Sequence, residues 1–346
     1  MSSQTAQELG YEIHRLSPRL HCLRPHAAVS GESFARDVAF TLGGSSKSIN
    51  PKWFYDDEGS ALFGQICTVP EYYITVTESS ILSRIGGELG SFLARDTRLV
   101  ELGSGLSSKT RLILDVMEGV QDEMEYLPID ISDVLAESCH GLLDDYPRLE
   151  ITGIIDTYHG GLEFLSTLDE RPNLIAFLGS SLGNFDAGEG ELFLKKIASC
   201  MGERDMLLLG LDLDKESGVL EAAYDDTQGV TARFNLNVLT RMNRELGANF
   251  DLSAFAHRAK YNGSARRIEM YIESLADQDV AIPAAGAAVR FGRGELVHTE
   301  NSHKYTIPRI REMVREAGLG TDAIWQDEEN RYALVLCSKQ GRPRRT

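Results

Sequence analysis

Apolar and polar positions follow two rhythms along this chain, and the change between them divides it. Short apolar runs recur at residues 99–102, 125–130, 149–155, 174–178 and 205–211, with helix-spaced segments in the gaps. Continuous apolar strands alternating with helices predict a parallel sheet covered on both faces and joined by right-handed crossovers. The rhythm breaks after Asp212. Residues 213–300 read as helices at 218–225 and 230–246, an apolar segment at 255–261, and a strand-like pair at 267–273 and 287–291. The tail returns to the first rhythm: an amphipathic helix over 307–317 stops at Gly318, and strands at 323–326 and 332–338 flank a polar turn at 327–330. Upstream, 33–42 reads as a helix with Ser33 as cap and Gly43-Gly44 as stop, and 78–92 as a second helix. Residues 1 to about 30 are polar and irregular and show no chemistry. The expected division is therefore 78–212 with 305–346 as one domain, 30–77 with 213–304 as another, and 1–29 as an N-terminal extension.

The stretch Arg98-Leu-Val-Glu-Leu-Gly-Ser-Gly-Leu-Ser-Ser-Lys-Thr110 organises the first domain. It predicts a buried strand, a glycine turn at Gly103 and Gly105, and a helix opening with hydroxyl caps at Ser107 and Ser108. No glycine precedes Lys109-Thr110 as a phosphate-gripping loop requires. A dinucleotide fingerprint needs a third glycine where Ser108 stands. An S-adenosylmethionine turn needs no phosphate cradle and tolerates this pattern. The turn alone leaves methyl donor, dinucleotide and plain strand–turn–helix all open. Acidic residues close several strands (Glu101, Asp130, Asp156, Asp212), and open α/β sheets bind ligands at their strands' carboxyl ends. At Asp130 a carboxylate is placed to accept both ribose hydroxyls; at Asp156 one can meet an adenine amino group. Singly, each is as readily a loop or cap residue.

Composition narrows the partners. The 346 residues carry a formal charge of −17 with the acids scattered, which argues against a nucleic-acid or anionic-membrane surface and for a small-molecule substrate. Cys22, Cys67, Cys139, Cys200 and Cys337 are odd in number and far apart, as reduced thiols are. The histidines show no ligand spacing, and even His298 and His303 near Glu300 do not make a metal site, so no metal is expected. No apolar run is long enough to span a membrane and no leader segment is evident, so a cytoplasmic protein is expected, with a monomer as the default.

Chemistry concentrates in a few further stretches. The aromatic run 48–63 and Val69-Pro-Glu-Tyr-Tyr73 are, on base rates, packing, yet tyrosine pairs also suit a small ring or cation. Phe177-Leu-Gly-Ser-Ser-Leu-Gly-Asn-Phe185 offers close backbone and the Asn184 amide. Ala223-Tyr-Asp-Asp226 offers a phenol, and Arg267-Ile-Glu-Met270 puts Met270 on the inward face. Glu300 and Ser302 share one face of an extended segment, where a carboxylate and a hydroxyl can hold an imidazole N–H; taken alone, Glu300 is as readily a solvated acid.

In order and with compatible spacing, these blocks resemble the histidine-specific α-N-methyltransferases of ergothioneine biosynthesis. The matching text is Pro51-Lys-Trp-Phe-Tyr-Asp56, Pro70-Glu-Tyr-Tyr73, Glu101-Leu-Gly-Ser-Gly105 with Ser108-Lys-Thr110, Phe177-Leu-Gly-Ser180 with Gly183-Asn184, and Ala223-Tyr-Asp-Asp226. It continues through Gly229-Val-Thr-Ala-Arg-Phe-Asn235, Asn243-Arg-Glu-Leu246, Arg267-Ile-Glu-Met270 and Glu300-Asn-Ser302 with Lys304, covering about residues 35 to 340. The resemblance implies an α/β, Rossmann-like class I S-adenosylmethionine-dependent sheet, whose edge hairpin the tail supplies, with a second α+β substrate domain. It implies trimethylation of the α-amino group of L-histidine to hercynine, with S-adenosyl-L-methionine as co-substrate. Gly103, Lys109, Asp130, Asp156 and Thr157 would hold the donor. Tyr72, Glu300, Ser302 and their neighbours Asn301 and Met270 would recognise the substrate ring. Asn184 and Tyr224 would bind the amino-acid end, and Tyr55 and Gly179 would lie near the methylated nitrogen, with Tyr55 and Asn184 the expected catalytic pair. Thr157 stands where an aromatic is expected. The alternatives are another aromatic amine, such as a prenylated tryptophan or a thiol-histidine, or a non-catalytic donor-binding protein.

Overall fold

Strands β1 (Tyr11–Ser17) and β2 (Leu20–Pro25) come first in the computed structural model, which describes residues 10–26, 31–105, 107–132 and 134–340. Helices α1 (Gly31–Leu42), α2 (Asp57–Ile66) and α3 (Tyr73–Phe92) follow, with a 3-10 turn at Pro51–Phe54. Then the alternation begins: β3 (Arg98–Leu102), α4 (Ser108–Glu118), β4 (Met124–Asp130), α5 (Val134–Asp145), β5 (Leu149–Ile155), α6 (Tyr158–Leu165), β6 (Asn173–Phe177), α7 (Ala187–Cys200) and β7 (Met206–Asp212). Helices α8 (Ser217–Tyr224) and α9 (Val230–Leu246) lead into β8 (Phe255–Asn262), β9 (Arg267–Ser274), β10 (Gln278–Ile282), β11 (Ala287–Phe291) and β12 (Leu296–His303). The chain closes with α10 (Ile307–Glu316), β13 (Leu319–Gln326) and β14 (Tyr332–Lys339). These elements form two units: Met1–His26, Ile74–Asp214 and Lys304–Thr346 in one, Ala27–Tyr73 and Lys215–His303 in the other.

The first unit is built on one nine-stranded sheet in the order β1-β2-β5-β4-β3-β6-β7-β14-β13. Strands β3 to β7 run parallel, and β14 and β13 close the edge antiparallel as an Asp327-anchored hairpin. Every residue of β3, β6 and β7 is buried, because crossover helices cover both faces and leave no polar side to the strand. The chain steps from β3 to β4 and β5 on one side, then returns to β6 and β7 on the other. The topological switch point therefore lies at the carboxyl ends of β3 and β6, where such sheets bind ligands.

Two expectations for this unit change. The N-terminal segment is not irregular over residues 11–25: β1 and β2 form an antiparallel hairpin, and β2 adds in parallel to β5. Single polar residues hide this pattern, since only Tyr11, Leu20, Cys22 and Leu23 of the hairpin are buried. Helix α3 starts at Tyr73 rather than at residue 78, because burial of Tyr73 and Ile74 outweighs the weak helix propensity of the β-branched run that follows.

The second unit carries a three-stranded antiparallel sheet, β12-β9-β8, and a separate β10-β11 hairpin. The strand-like segments at 267–273 and 287–291 do not pair with each other. Ala287–Phe291 pairs with Gln278–Ile282 across the tight turn Pro283–Ala285 and left-handed Gly286. Strand β9 instead takes β8 and β12 as neighbours, so Ile268, Met270 and Ile272 are all buried. A local hairpin closes over a shorter loop than the expected pairing.

Among the described residues no helix is long and apolar enough to cross a membrane. The five cysteines are free thiols.

Candidate functional site

The turn after β3 and the turn after β6 meet the switch point with left-handed backbone: Gly103 has φ +76°, Gly105 +50° and Gly179 +72°. A Cβ on Gly103 would sit 2.7 Å from the Tyr158 hydroxyl, so both conformation and space require glycine there. Gly103→Ala should cost about 1–2 kcal/mol of stability from the left-handed conformation alone, and more as Tyr158 is displaced; thermal unfolding beside the unsubstituted protein measures the loss. Ser107 does not cap α4 with its hydroxyl. It is itself left-handed, φ 56°, and makes no side-chain cap bond. The hydroxyl oxygens of Ser104 and Ser107 are buried without a hydrogen-bond partner among the described residues.

The four strand-end carboxylates separate into two kinds. Glu101 is buried and accepts the hydroxyls of Thr110 and Tyr126, each at 2.7 Å; burial pushes its carboxyl up to about 7 against those two bonds. Asp212 is 2.7 Å from Lys304, both side chains fully buried, so it serves the end of β7. Asp130 and Asp156 remain on neighbouring strand ends, tied by the Asp156 amide donating to the Asp130 carbonyl at 3.1 Å. The Asp130 carboxylate accepts the amides of Gly105 (3.2 Å) and Ser132 (2.9 Å), and burial raises its pKa against them. Those two bonds leave lone pairs on both oxygens. Asp156 accepts the Thr157 amide at 2.6 Å and the Tyr11 hydroxyl at 2.5 Å. Thr157 caps α6, its hydroxyl accepting the Gly160 amide at 3.2 Å. Asn184 ends the 3-10 turn Ser181–Asn184, half-buried.

Lys109 sits on α4, and its ammonium lies 2.6 Å from Glu78 of α3. Glu78 is a buried anchor that the sequence does not single out. It is fully buried, accepts the Gly179 amide at 2.9 Å and the Tyr332 hydroxyl at 2.8 Å, and so ties α3, α4, the β6 turn and β14 together. A signal was present: Glu78 stands four residues after Ile74 and four before Leu82, inside the stripe that Ile85 and Leu89 continue.

In the second unit the sequence blocks converge. Tyr72 is 8% exposed and packs edge-on to Tyr224, ring centroids 6.1 Å apart. The Tyr224 hydroxyl is 2.7 Å from the Ser302 hydroxyl. Burial first, then the neighbouring Tyr224, Cys67, Tyr55 and Glu300, drives the Tyr72 phenol well above its ordinary pKa, so it stays protonated. Tyr55 closes the 3-10 turn and packs edge-on to Phe63 and Phe234. Glu300 pairs in register with Met270, and both are buried. Asn301 does not join them: it alternates to the other face of β12, where its side-chain oxygen meets His298 at 2.9 Å.

His257 was also not foreseen. It is buried and its pKa is lowered by that burial; the Asn235 amide donates to Nδ1 and Nε2 donates to the Tyr224 carbonyl, each at 2.8 Å, as a neutral ring does. It fixes the end of α8, from which Tyr224 projects. A lone histidine in a strand gives no sequence signal for this. Among the described residues no three histidine, cysteine, aspartate or glutamate side chains gather as metal ligands would.

The first unit's residues fit S-adenosylmethionine. Two carboxylates at adjacent strand ends match the hydroxyl and amine donors of an adenosine, a feature that dinucleotide sites share. A family model described as histidine-specific methyltransferase, SAM-dependent, matches residues 34–339. The histidine N-alpha-methyltransferase of Mycolicibacterium smegmatis is 41% identical over 308 residues, covering 89% of this chain and 95% of that protein. The protein of the same name from Mycobacterium tuberculosis is 40% identical over 305 residues, 88% of this chain and 94% of that one. Ergothioneine biosynthesis protein 1 of Neurospora crassa is 29% identical over 296 residues, 82% of this chain and 32% of that longer protein.

Proposed function

Since this chain belongs to the histidine-specific, S-adenosylmethionine-dependent methyltransferases, we propose that it methylates the α-amino group of L-histidine three times, yielding hercynine, a step of ergothioneine biosynthesis. The chain is an N-methyltransferase with a class I methyltransferase sheet. The observation that carries the substrate is the buried group of Tyr72, Glu300 and the Tyr224–Ser302 hydroxyl pair. An imidazole presents one N–H and one ring nitrogen, and a carboxylate beside two hydroxyls offers an acceptor and a donor to match. An indole has no second ring nitrogen, so it offers that set one donor and no acceptor.

In this reading Asp130 accepts the donor's ribose hydroxyls and Asp156 its adenine amine, with Gly103, Lys109 and Thr157 around them. S-adenosylmethionine supplies an electrophilic methyl carbon on a sulfonium. The residues of the chain align and desolvate the amine. An α-amino group titrates at about 8 in peptides, within reach of neutrality, so solvent can take the proton without a dedicated base. Tyr55 orients the nitrogen with Gly179, Asn184 and Tyr224 hold the amino-acid end, and tyrosine faces accommodate the cation that grows with each transfer. The scattered negative charge and free thiols support a cytoplasmic enzyme acting on a small molecule rather than on nucleic acid.

Product analysis by mass spectrometry tests the reading. Histidine and S-adenosylmethionine should give mono-, di- and trimethyl products in succession, all on the α-nitrogen by fragmentation. A product that stops at one methyl, or carries it on the ring, would overturn it.

A further inference from the structure

The N-terminal hairpin lies outside the stretch matched by the family model, which begins at residue 34, yet it reaches the donor end of the sheet. Strand β2 pairs with β5 as far as Leu23 against Ile154, two residues short of Asp156. From β1, Tyr11 is 5% exposed, stands edge-on to Phe164 with centroids 5.6 Å apart, and donates its hydroxyl to the Asp156 carboxylate. We propose that Tyr11 is a positioning residue for the methyl donor, locking the Asp156 carboxylate in the orientation that reads the adenine amino group.

The geometry supplies the argument. Without Tyr11, the side-chain bond from the Thr157 amide to one Asp156 oxygen is the only one left on that carboxylate among the described residues. With Tyr11, each oxygen carries one donor, so rotation about the terminal bond is stopped and one lone pair per oxygen stays available. The carboxylate also lies over the first turn of α6, where a Cβ on Gly160 would fall 2.0 Å from Oδ2. That glycine leaves room for the carboxylate but does not fix its rotation. Burial, and then the bond to Asp156, raise the Tyr11 pKa, so the phenol remains a donor across the working range.

This inference rests on Asp156 as the adenine-binding carboxylate, and the test separates the two claims. Full-length protein, Tyr11→Phe and Asp156→Asn are titrated calorimetrically with S-adenosylhomocysteine and with S-inosylhomocysteine, in which a carbonyl replaces the adenine amino group. Wild type should prefer the adenosyl ligand. Tyr11→Phe keeps the ring against Phe164; it should weaken adenosyl binding about tenfold, the scale of a bond to a charged group, leave inosyl binding nearly unchanged, and leave kcat at saturating donor intact. The ratio of the two affinities is independent of how much of a variant is folded, so partial misfolding does not obscure the result. If Tyr11→Phe keeps the wild-type ratio while Asp156→Asn loses it, Tyr11 only packs and the proposal fails. If Asp156→Asn also keeps the ratio, the reading of Asp156 fails and takes the proposal with it.

Discussion

Glu78→Ala should unfold this protein more readily by about 3–5 kcal/mol, the cost of stripping a buried ion pair of one partner. The carboxylate is fully buried with Lys109, the Gly179 amide and the Tyr332 hydroxyl around it. Its removal takes one acceptor from a cation, an amide and a phenol at once. Strand β7 is shaped for it: a Cβ on Gly210 would fall 1.9 Å from Glu78 Oε1. Glu78→Gln keeps the shape and an acceptor but not the charge, and should lose less stability. Donor binding should fall most in Glu78→Ala and less in Glu78→Gln, since the carboxylate that ties Lys109 to the Gly179 turn is lost in the first and only neutralised in the second. Urea unfolding read at unchanged m-value checks the first figure; a Glu78→Ala variant within about 1 kcal/mol of wild type would show that the pair contributes little beyond its own desolvation.

The second large effect is expected on substrate recognition alone. Glu300→Ala should lower kcat/KM for histidine by about 10- to 100-fold, the range that one hydrogen bond to a charged group spans. Affinity for S-adenosylhomocysteine should not change, because Asp130 and Asp156, the carboxylates proposed to hold the donor, belong to the other unit. Tyr224→Phe removes a hydroxyl that bonds Ser302 and should give a smaller loss of the same kind. A Glu300→Ala variant that turns over histidine normally would remove this residue from the imidazole site.

Sequence alone carried the parallel sheet well, because strands buried on both faces leave uninterrupted apolar runs and crossover helices punctuate them. Helix α9 was legible to its ends, with left-handed Gly229 and Gly247 marking both. The hairpin of residues 11–25 was hidden because an edge element buries few side chains, and the pairing of β9 was misjudged because pattern fixes which face is buried, not which strand is the neighbour. The site divides along the same line. Tyr55, Tyr72, Tyr224, Glu300 and Ser302 are each unremarkable alone, and it was their order along the chain that pointed to one chemistry. Asn301 entered that list by adjacency, and strand alternation turns it away. Glu78, His257 and Tyr11 act through other residues, and a contact across 31 positions between Glu78 and Lys109, or across 145 between Tyr11 and Asp156, leaves no local trace.

Substrate choice is read in one competition: the enzyme with S-adenosylmethionine and equal amounts of histidine, tryptophan and a thiol-histidine in one vessel, products resolved by mass spectrometry. Histidine should be consumed first and carried to its α-N-trimethyl form while tryptophan stays unmethylated. Methylated tryptophan, or preference for the thiol-histidine, would contradict it.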